Sequence, residues 1–98
     1  MNDLESIREQ LLAIDNDMAK LFEKRMKLSR KVAEYKKANS LPVLDESRER
    51  KVIDNALKNI EDENLKRYCS EFFQDIMDIS KNYQHSYIEE ACSALSQK

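Results

Sequence analysis

Apolar residues recur in steps of three and four along the first third of the chain, which is the spacing of one face of an α-helix. The series comprises Leu4, Ile7, Leu11, Ile14, Met18, Leu21, Leu28, Val32 and Tyr35. The series calls for an apolar residue at position 25 as well, but that position is occupied by Arg25. The pattern predicts a first helix from about Asp3 to about Asn39, which no glycine or proline interrupts.

A loop and a second helix are predicted next. Pro42 lies in the loop at residues 39–44, because proline cannot continue a helix and holds the preceding residue extended. Asp45 is the expected N-cap of the second helix, since an aspartate side chain accepts hydrogen bonds from the free amides of a first turn. The apolar face of this helix comprises Val52, Ile53, Ala56, Leu57 and Ile60.

A polar break at residues 61–64 precedes the third predicted helix, with Asn64 as its expected cap. This helix runs from about residue 65 to near the C-terminus. Its predicted buried stripe comprises Leu65, Tyr68, Phe72, Ile76, Ile79 and Tyr83.

Composition supports an all-α fold of three helices. The 98 residues include no glycine and one proline, whereas the hairpins of a β-rich domain usually need glycine. One domain spanning residues 1–98 is expected at this length. The 17 basic and 19 acidic side chains nearly cancel, so the net charge of −2 provides no field that would attract nucleic acid.

Other features favour a cytoplasmic protein in a reducing compartment. No stretch approaches the ~20 apolar residues of a membrane span, and the acidic N-terminus has no apolar signal core. Cys69 and Cys92 would lie about 35 Å apart on one helix, too far for a disulfide bond. These cysteines and His85 do not have the spacing of a metal site, so no metal is expected.

The first helix is too long for a compact chain of this size. About 36 residues make a rod of about 54 Å, whereas a compact 98-residue domain has a radius of gyration of about 13 Å. Because the apolar stripe runs along nearly the whole rod, a second copy related by a two-fold axis is expected to cover one end. A frayed or broken first helix is the alternative.

Arg25 admits three interpretations. A charged side chain within a buried stripe must be paired or face a polar cavity, because an unpaired buried charge is costly. It could instead extend to water, or pair with an acid such as Glu49. The periodicity alone does not choose between them.

Further polar residues share the face of Arg25 or are placed to border it. Lys36 follows by eleven residues, which is almost a whole number of turns and about 16 Å along the axis. The second helix offers Arg48 and Glu49, and the third offers Ser80 and Gln84 one turn apart. Cations in excess of acids suggest an anionic ligand with about two carboxylates. Taken singly, each of these residues is more simply part of a solvated helix face.

Arg8 lies about 25 Å before Arg25 on the same helix and is rotated by about 100°. It therefore cannot reach the same small ligand within one chain, although in an antiparallel dimer it could reach the partner's site. A surface pair with Glu5 or Asp15 is the alternative.

In order and spacing, these residues resemble the all-helical AroQ-class chorismate mutases, in their monofunctional form. The resemblance covers almost the whole chain and rests on residues 4–8 with 14–15, residues 21–25, 32–36, 42–45 and 48–50, and Ser80 with Gln84. Leu44 departs from the pattern, since some relatives carry arginine there. The family's fold is an intertwined homodimer of three-helix chains with two sites in the bundle.

The resemblance implies roles for eight residues. Arg25 and the partner's Arg8 would hold the two carboxylates of chorismate, with added positive charge from Arg48. Lys36 and Gln84 would donate to the ether oxygen, and Arg25, Lys36 and Gln84 would be the catalytic residues. Other contacts would come from Glu49 and Asp45 at the ring hydroxyl and from Ser80 at a carboxylate.

The implied reaction is the Claisen rearrangement of chorismate to prephenate in phenylalanine and tyrosine biosynthesis. This reaction requires no cofactor, because restraint of the reactive conformer and donors at the ether oxygen suffice. Two alternatives remain, namely an isochorismate pyruvate-lyase of the same fold and a helical dimerisation module without activity.

Overall fold

A computed structural model describes residues 3–43 and 45–96, with side chains as far as residue 90. Helix α1 spans Asp3–Ala38, α2 spans Glu46–Leu57, a 3₁₀ turn spans Glu63–Leu65, and α3 spans Lys66–Ser96. These residues contain no strand, which confirms the all-α fold. Leu44, where the sequence departs from its relatives, and the side chain of Cys92 lie outside the described part. No described helix is both long and apolar enough to cross a membrane.

Helix α1 is continuous, as the sequence predicts. At its C-terminal cap a serine occupies the left-handed position that is usually taken by glycine. Ser40 has a φ of 56°, in the left-handed region. The Leu41 amide donates to the Lys36 carbonyl at 2.8 Å, and the Ser40 amide donates to Lys37 at 3.3 Å. This pair of bonds is a Schellman motif, which ends α1 at Ala38 just before the predicted Asn39.

Both α2 and α3 begin about where the sequence predicts, but only the cap of α2 is the predicted residue. Asp45 has an extended backbone, and its Oδ1 accepts from the Arg48 amide at 3.0 Å, so it is the N-cap of α2. The prediction that Asn64 caps the third helix is wrong. Asp62 is the cap, because its side chain accepts from the Asn64 amide at 2.9 Å and the 3₁₀ turn leads directly into Lys66.

Helix α3 packs against both α1 and α2, and the small core lies at this junction. The buried residues of the described part are Ser29, Ala33, Met77, Ser80 and Gln84. Ser29 and Ala33 are small, which allows close approach of the helices. Three of the five buried side chains are polar, so the described centre of the chain is not a purely apolar core.

The predicted apolar stripes are largely exposed in the single chain. From Asp3 to Lys24 every residue except Ser6 is exposed. The predicted burial of Leu65, Tyr68, Phe72 and Ile79 is wrong for one chain, because these residues are 45–52% exposed. Helix α3 instead turns Met77, Ser80 and Gln84 inward. The chain measures 60 × 30 × 14 Å with a radius of gyration of 17.6 Å, so α1 extends beyond the helices that pack on it.

Candidate active site

A cavity of about 270 Å³ lies where the three helices meet. Seven of the eight predicted site residues line it, namely Arg25, Lys36, Asp45, Arg48, Glu49, Ser80 and Gln84. Apolar walls come from Leu28, Val32, Val43, Val52 and Met77. The cavity therefore combines convergent charged groups with an apolar lining, which is typical of small-molecule sites.

Arg25 is held in the cavity wall by α3. Its Nη1 donates to Ser80 Oγ at 2.7 Å, and its Nη2 lies 3.8 Å from Met77 Sδ. The Ser80 hydroxyl, 5% exposed, donates in turn to Met26 Sδ at 3.8 Å. Of the three interpretations of Arg25, the structure supports the polar cavity. A guanidinium has five N–H donors, so this anchoring leaves others for a ligand.

Two arginines, Arg25 and Arg48, line the same cavity. Burial lowers the pKa of Arg25, and repulsion by Arg48 lowers it further. Such mutual repulsion disfavours the empty site and is relieved by a bound anion. The electrostatics of Arg25 and Arg48 therefore favour a negatively charged ligand.

Lys36 is anchored to the loop that follows its own helix. Its Nζ donates to the Val43 carbonyl at 2.8 Å, while its own carbonyl accepts in the cap of α1. An ammonium has three donors, so the bond to Val43 leaves others for a ligand. The cap of α1 and the loop thus fix the position of Lys36 at the rim of the cavity.

Glu49 also lines the cavity, and it forms an ion pair that the sequence analysis missed. Lys81 Nζ lies 3.0 Å from Glu49 Oε1 and 3.3 Å from Asp78 Oδ1. Contact with Glu49, and then with Asp78, raises the pKa of Lys81. Glu49 is therefore paired with Lys81 and not with Arg25, contrary to the alternative interpretation of Arg25.

Gln84 is 8% exposed, and its Oε1 is buried without a hydrogen-bond partner within the described residues. An unsatisfied buried amide oxygen is costly in the empty chain. A side-chain amide both donates and accepts, so Gln84 offers the cavity a neutral hydrogen-bonding group. This position is consistent with a ligand contact.

Asp45 lines the cavity and is also the N-cap of α2. It is exposed, and its Oδ1 is occupied by the N-cap bond to Arg48. Arg48 is also exposed and stands at the rim. Any ligand contact by Asp45 would therefore be added to its structural role.

Arg8 is absent from the cavity of its own chain and lies on the exposed part of α1. The unbroken helix separates it from Arg25 by about 25 Å. Arg8 therefore does not line the cavity of its own chain, and its contact with a partner's site stays a prediction.

Lys81, Met77 and Ser29 are among the lining residues that the sequence analysis overlooked. Met77 follows the helical register of Ser80 and Gln84, three and seven residues apart, so the period of α3 could have identified it. Lys81 gave no such signal, because a lysine between polar neighbours on a helix usually belongs to a solvated face.

Comparison with known proteins gives one consistent result. The profile of the family described as chorismate mutase type II matches residues 7–85, a segment that contains all eight predicted site residues. A chorismate mutase from Methanocaldococcus jannaschii is 32% identical over 88 residues, which is 89% of this chain and 89% of that protein. The chain belongs to the chorismate mutase type II family.

Proposed function

We propose that the protein is an isomerase that converts chorismate to prephenate, a step toward phenylalanine and tyrosine. The observation that carries this proposal is the part-buried arginine of the cavity. Arg25 donates to Ser80 at 2.7 Å and is repelled by Arg48, so a bound anion would relieve the repulsion between the two arginines. Chorismate carries two carboxylates, and a cavity of about 270 Å³ suits a small ring compound.

The chemistry is a concerted rearrangement within one molecule. The ether C–O bond of the enolpyruvyl bridge breaks while a C–C bond forms between the bridge methylene and the ring, and the electron pairs move in a cycle. No proton, electron or cofactor enters. The protein accelerates such a step by holding the flexible substrate in its reactive conformer and excluding competing ones.

Donors at the ether oxygen supply the second contribution. That oxygen gains negative charge as its bond to the ring lengthens, so contacts to it are stronger in the transition state than in the ground state. Lys36 at the rim and Gln84 in the interior are the donors in this proposal. The bond from Lys36 to the Val43 carbonyl and the burial of Gln84 reduce the reorganisation required during the reaction.

The remaining polar residues bind the fixed groups of the substrate. Arg25, supported by Ser80 and by the charge of Arg48, holds one carboxylate. Glu49, with Asp45 near it, accepts from the ring hydroxyl. These contacts orient the ring and the bridge relative to Lys36 and Gln84.

The active form in this proposal is an intertwined homodimer, with residues 1–98 of each chain forming one domain. Support comes from the exposure of every residue but Ser6 between Asp3 and Lys24 and from the exposed apolar residues of α3. A second copy would cover both surfaces. It would also bring Arg8 to the other chain's cavity, where it would bind the second carboxylate. The cytoplasm is the proposed compartment.

Product identification tests this assignment. Purified protein is incubated with chorismate and, separately, with isochorismate, and the products are identified by NMR. We expect prephenate from chorismate and no salicylate from isochorismate. Salicylate as the main product would assign the chain to pyruvate-lyase chemistry, and an unchanged substrate in both samples would favour an inactive helical module.

A further inference from the structure

Lys81 lines the cavity, but it is neither one of the proposed donors to the ether oxygen nor one of the residues proposed to bind the carboxylates and the ring hydroxyl. Its Nζ lies 3.0 Å from Glu49 Oε1 on α2 and 3.3 Å from Asp78 Oδ1 on its own helix. The side chains of Lys81 and Glu49 are only 27% and 17% exposed. The side chains of Lys27 and Glu23, an i,i+4 pair on α1, are by contrast 64% and 73% exposed, and exposed pairs of this kind usually contribute little.

The contact with Glu49 joins two helices across one side of the cavity. It therefore fixes the distance between the first turn of α2 and the middle of α3. Asp78 fixes the lysine from the other side, so its ammonium group has little freedom to move toward a ligand. A partly shielded pair of this kind is expected to set geometry more than to add stability.

The pair also distinguishes the two oxygens of Glu49. Oε1 is buried in the ion pair with Lys81, where it has no hydrogen-bond partner among the described residues. The second oxygen, Oε2, is then the atom that can accept from a ligand hydroxyl. A hydrogen bond to an ionised acceptor is shorter and stronger than a neutral one, and it still requires the acceptor to point toward the donor. Lys81 supplies that direction by holding the other oxygen.

We propose that Lys81 is a positioning residue for ring-hydroxyl recognition, acting through Glu49 rather than through direct contact with the substrate. This inference rests on the proposed function, because it assumes that Glu49 accepts from the ring hydroxyl. The raised pKa of Lys81 keeps its ammonium charged over the working range of pH. The same lysine is thus present as a cation whether or not a ligand is bound.

Kinetics of Lys81→Met test the role. The hydroxyl does not take part in bond breaking, so its contact with Glu49 is equal in ground and transition states. Loss of its alignment should therefore raise KM by about ten-fold while kcat changes by less than about two-fold. Lys81→Arg should restore most of the affinity. Lys66→Met, which removes an i,i+3 pair with Glu63 at the start of the same helix, serves as the matched control and should leave both constants unchanged.

A double-mutant cycle with Glu49→Gln identifies the route of the effect. If Lys81 acts through Glu49, Lys81→Met should change kcat/KM by less than about two-fold in the Glu49→Gln background. An equal loss in both backgrounds would overturn the proposal, as would a KM unaffected by Lys81→Met. A fall in kcat together with a lowered unfolding midpoint would assign a purely structural role and would also overturn it.

Two further measurements keep the outcomes distinct. If Lys81→Met does not fold, the cycle is run with Lys81→Gln, which removes the charge and keeps a polar side chain. Wild-type turnover of chorismate is measured first. An inactive wild type would refute the proposed function and this inference together, whereas an active wild type with an unaffected Lys81 variant would refute the inference alone.

Discussion

Arg25, Ser80 and Gln84 occupy inward-facing positions that a helical bundle usually fills with apolar side chains. Ser80 and Gln84 are 5% and 8% exposed, and Arg25 donates to Ser80 at 2.7 Å. Burying such groups costs free energy unless they are paired, and Gln84 Oε1 has no partner within the described residues. The single chain therefore carries a polar interior, and in the proposed function a bound ligand offsets its cost.

Gln84→Glu should convert the enzyme to one that works best in acid. The native amide donates a hydrogen bond at any ordinary pH. A glutamate donates only when protonated; its ordinary pKa is about 4.3, and burial at this position raises it. Activity should therefore be high below that raised pKa and fall as the pH rises through it. The measurement is the pH profile of kcat/KM for wild type and variant.

Asn59→Asp provides the matched control for this pH profile. Asn59 is exposed just after α2, donates to the Asn55 carbonyl and does not line the cavity, so the same change from amide to carboxylate there should leave the profile unaltered. Superimposable profiles for wild type and Gln84→Glu would remove Gln84 from the set of donors to the ether oxygen.

Six of the lining residues could be identified from the sequence because their spacing places polar groups in or beside an apolar stripe, and Asp45 was added only by the family resemblance. Arg25 and Lys36 share a helical face, and Ser80 and Gln84 follow the period of α3. Lys81 could not be identified in this way. Its partner Glu49 lies on another helix, and the pairing depends on how α2 and α3 pack.

At the scale of helices, the cap of α1 is built without glycine. Ser40 adopts a φ of 56°, and its neighbours make both bonds of the Schellman motif. A residue with a Cβ is disfavoured in this region. The same turn leads to Val43, whose carbonyl accepts from Lys36, so the cap also shapes one edge of the cavity.

Ser40→Gly should stabilise the fold. Relief of the left-handed conformation, less the greater entropy of glycine in the unfolded chain, gives a net gain of about 0.5–1 kcal/mol in the free energy of unfolding. Urea unfolding at fixed protein concentration measures it. Ser40→Ala keeps the Cβ and should give no such gain; a gain from alanine equal to that from glycine would contradict this account of the cap.

Helix boundaries could be predicted where a strong local signal exists. Pro42 and Asp45 placed the loop and the start of α2 correctly, because ring constraint and capping act within a few residues. Asp62 and Asn64 are both good caps, so propensity alone did not decide between them. The buried face of α3 could not be predicted either. The side that packs on α1 and α2 carries Met77, Ser80 and Gln84, whereas many of the apolar residues lie on a side that is exposed in the single chain.

For the whole molecule, the exposed apolar surface is the main feature that one chain does not explain. The chain is 60 Å long, and its radius of gyration of 17.6 Å exceeds the value of about 13 Å for a compact domain of this length. Exposed apolar residues extend along α1 from Leu4 to Phe22. Contiguous surfaces of this kind are typical of protein interfaces.

Subunit mixing tests the proposed shared site. Arg8→Ala and Arg25→Ala chains are each expected to be inactive alone. In a heterodimer one of the two cavities would contain both arginines, so refolding an equal mixture should restore about one quarter of wild-type activity, from half the dimers with half their sites. Activity is measured alongside sedimentation. A monomeric protein, or verified heterodimers without activity, would contradict the shared site.

The most direct test of the central claim is chorismate turnover by wild type and Arg25→Ala, followed as substrate loss with prephenate identified as the product. The account predicts an active wild type and a variant whose kcat/KM falls about a hundred- to a thousand-fold, because a fixed donor to anionic charge is removed. Circular dichroism should show the variant still helical. Wild-type rates in a folded Arg25→Ala would contradict the assignment of the cavity as the active site.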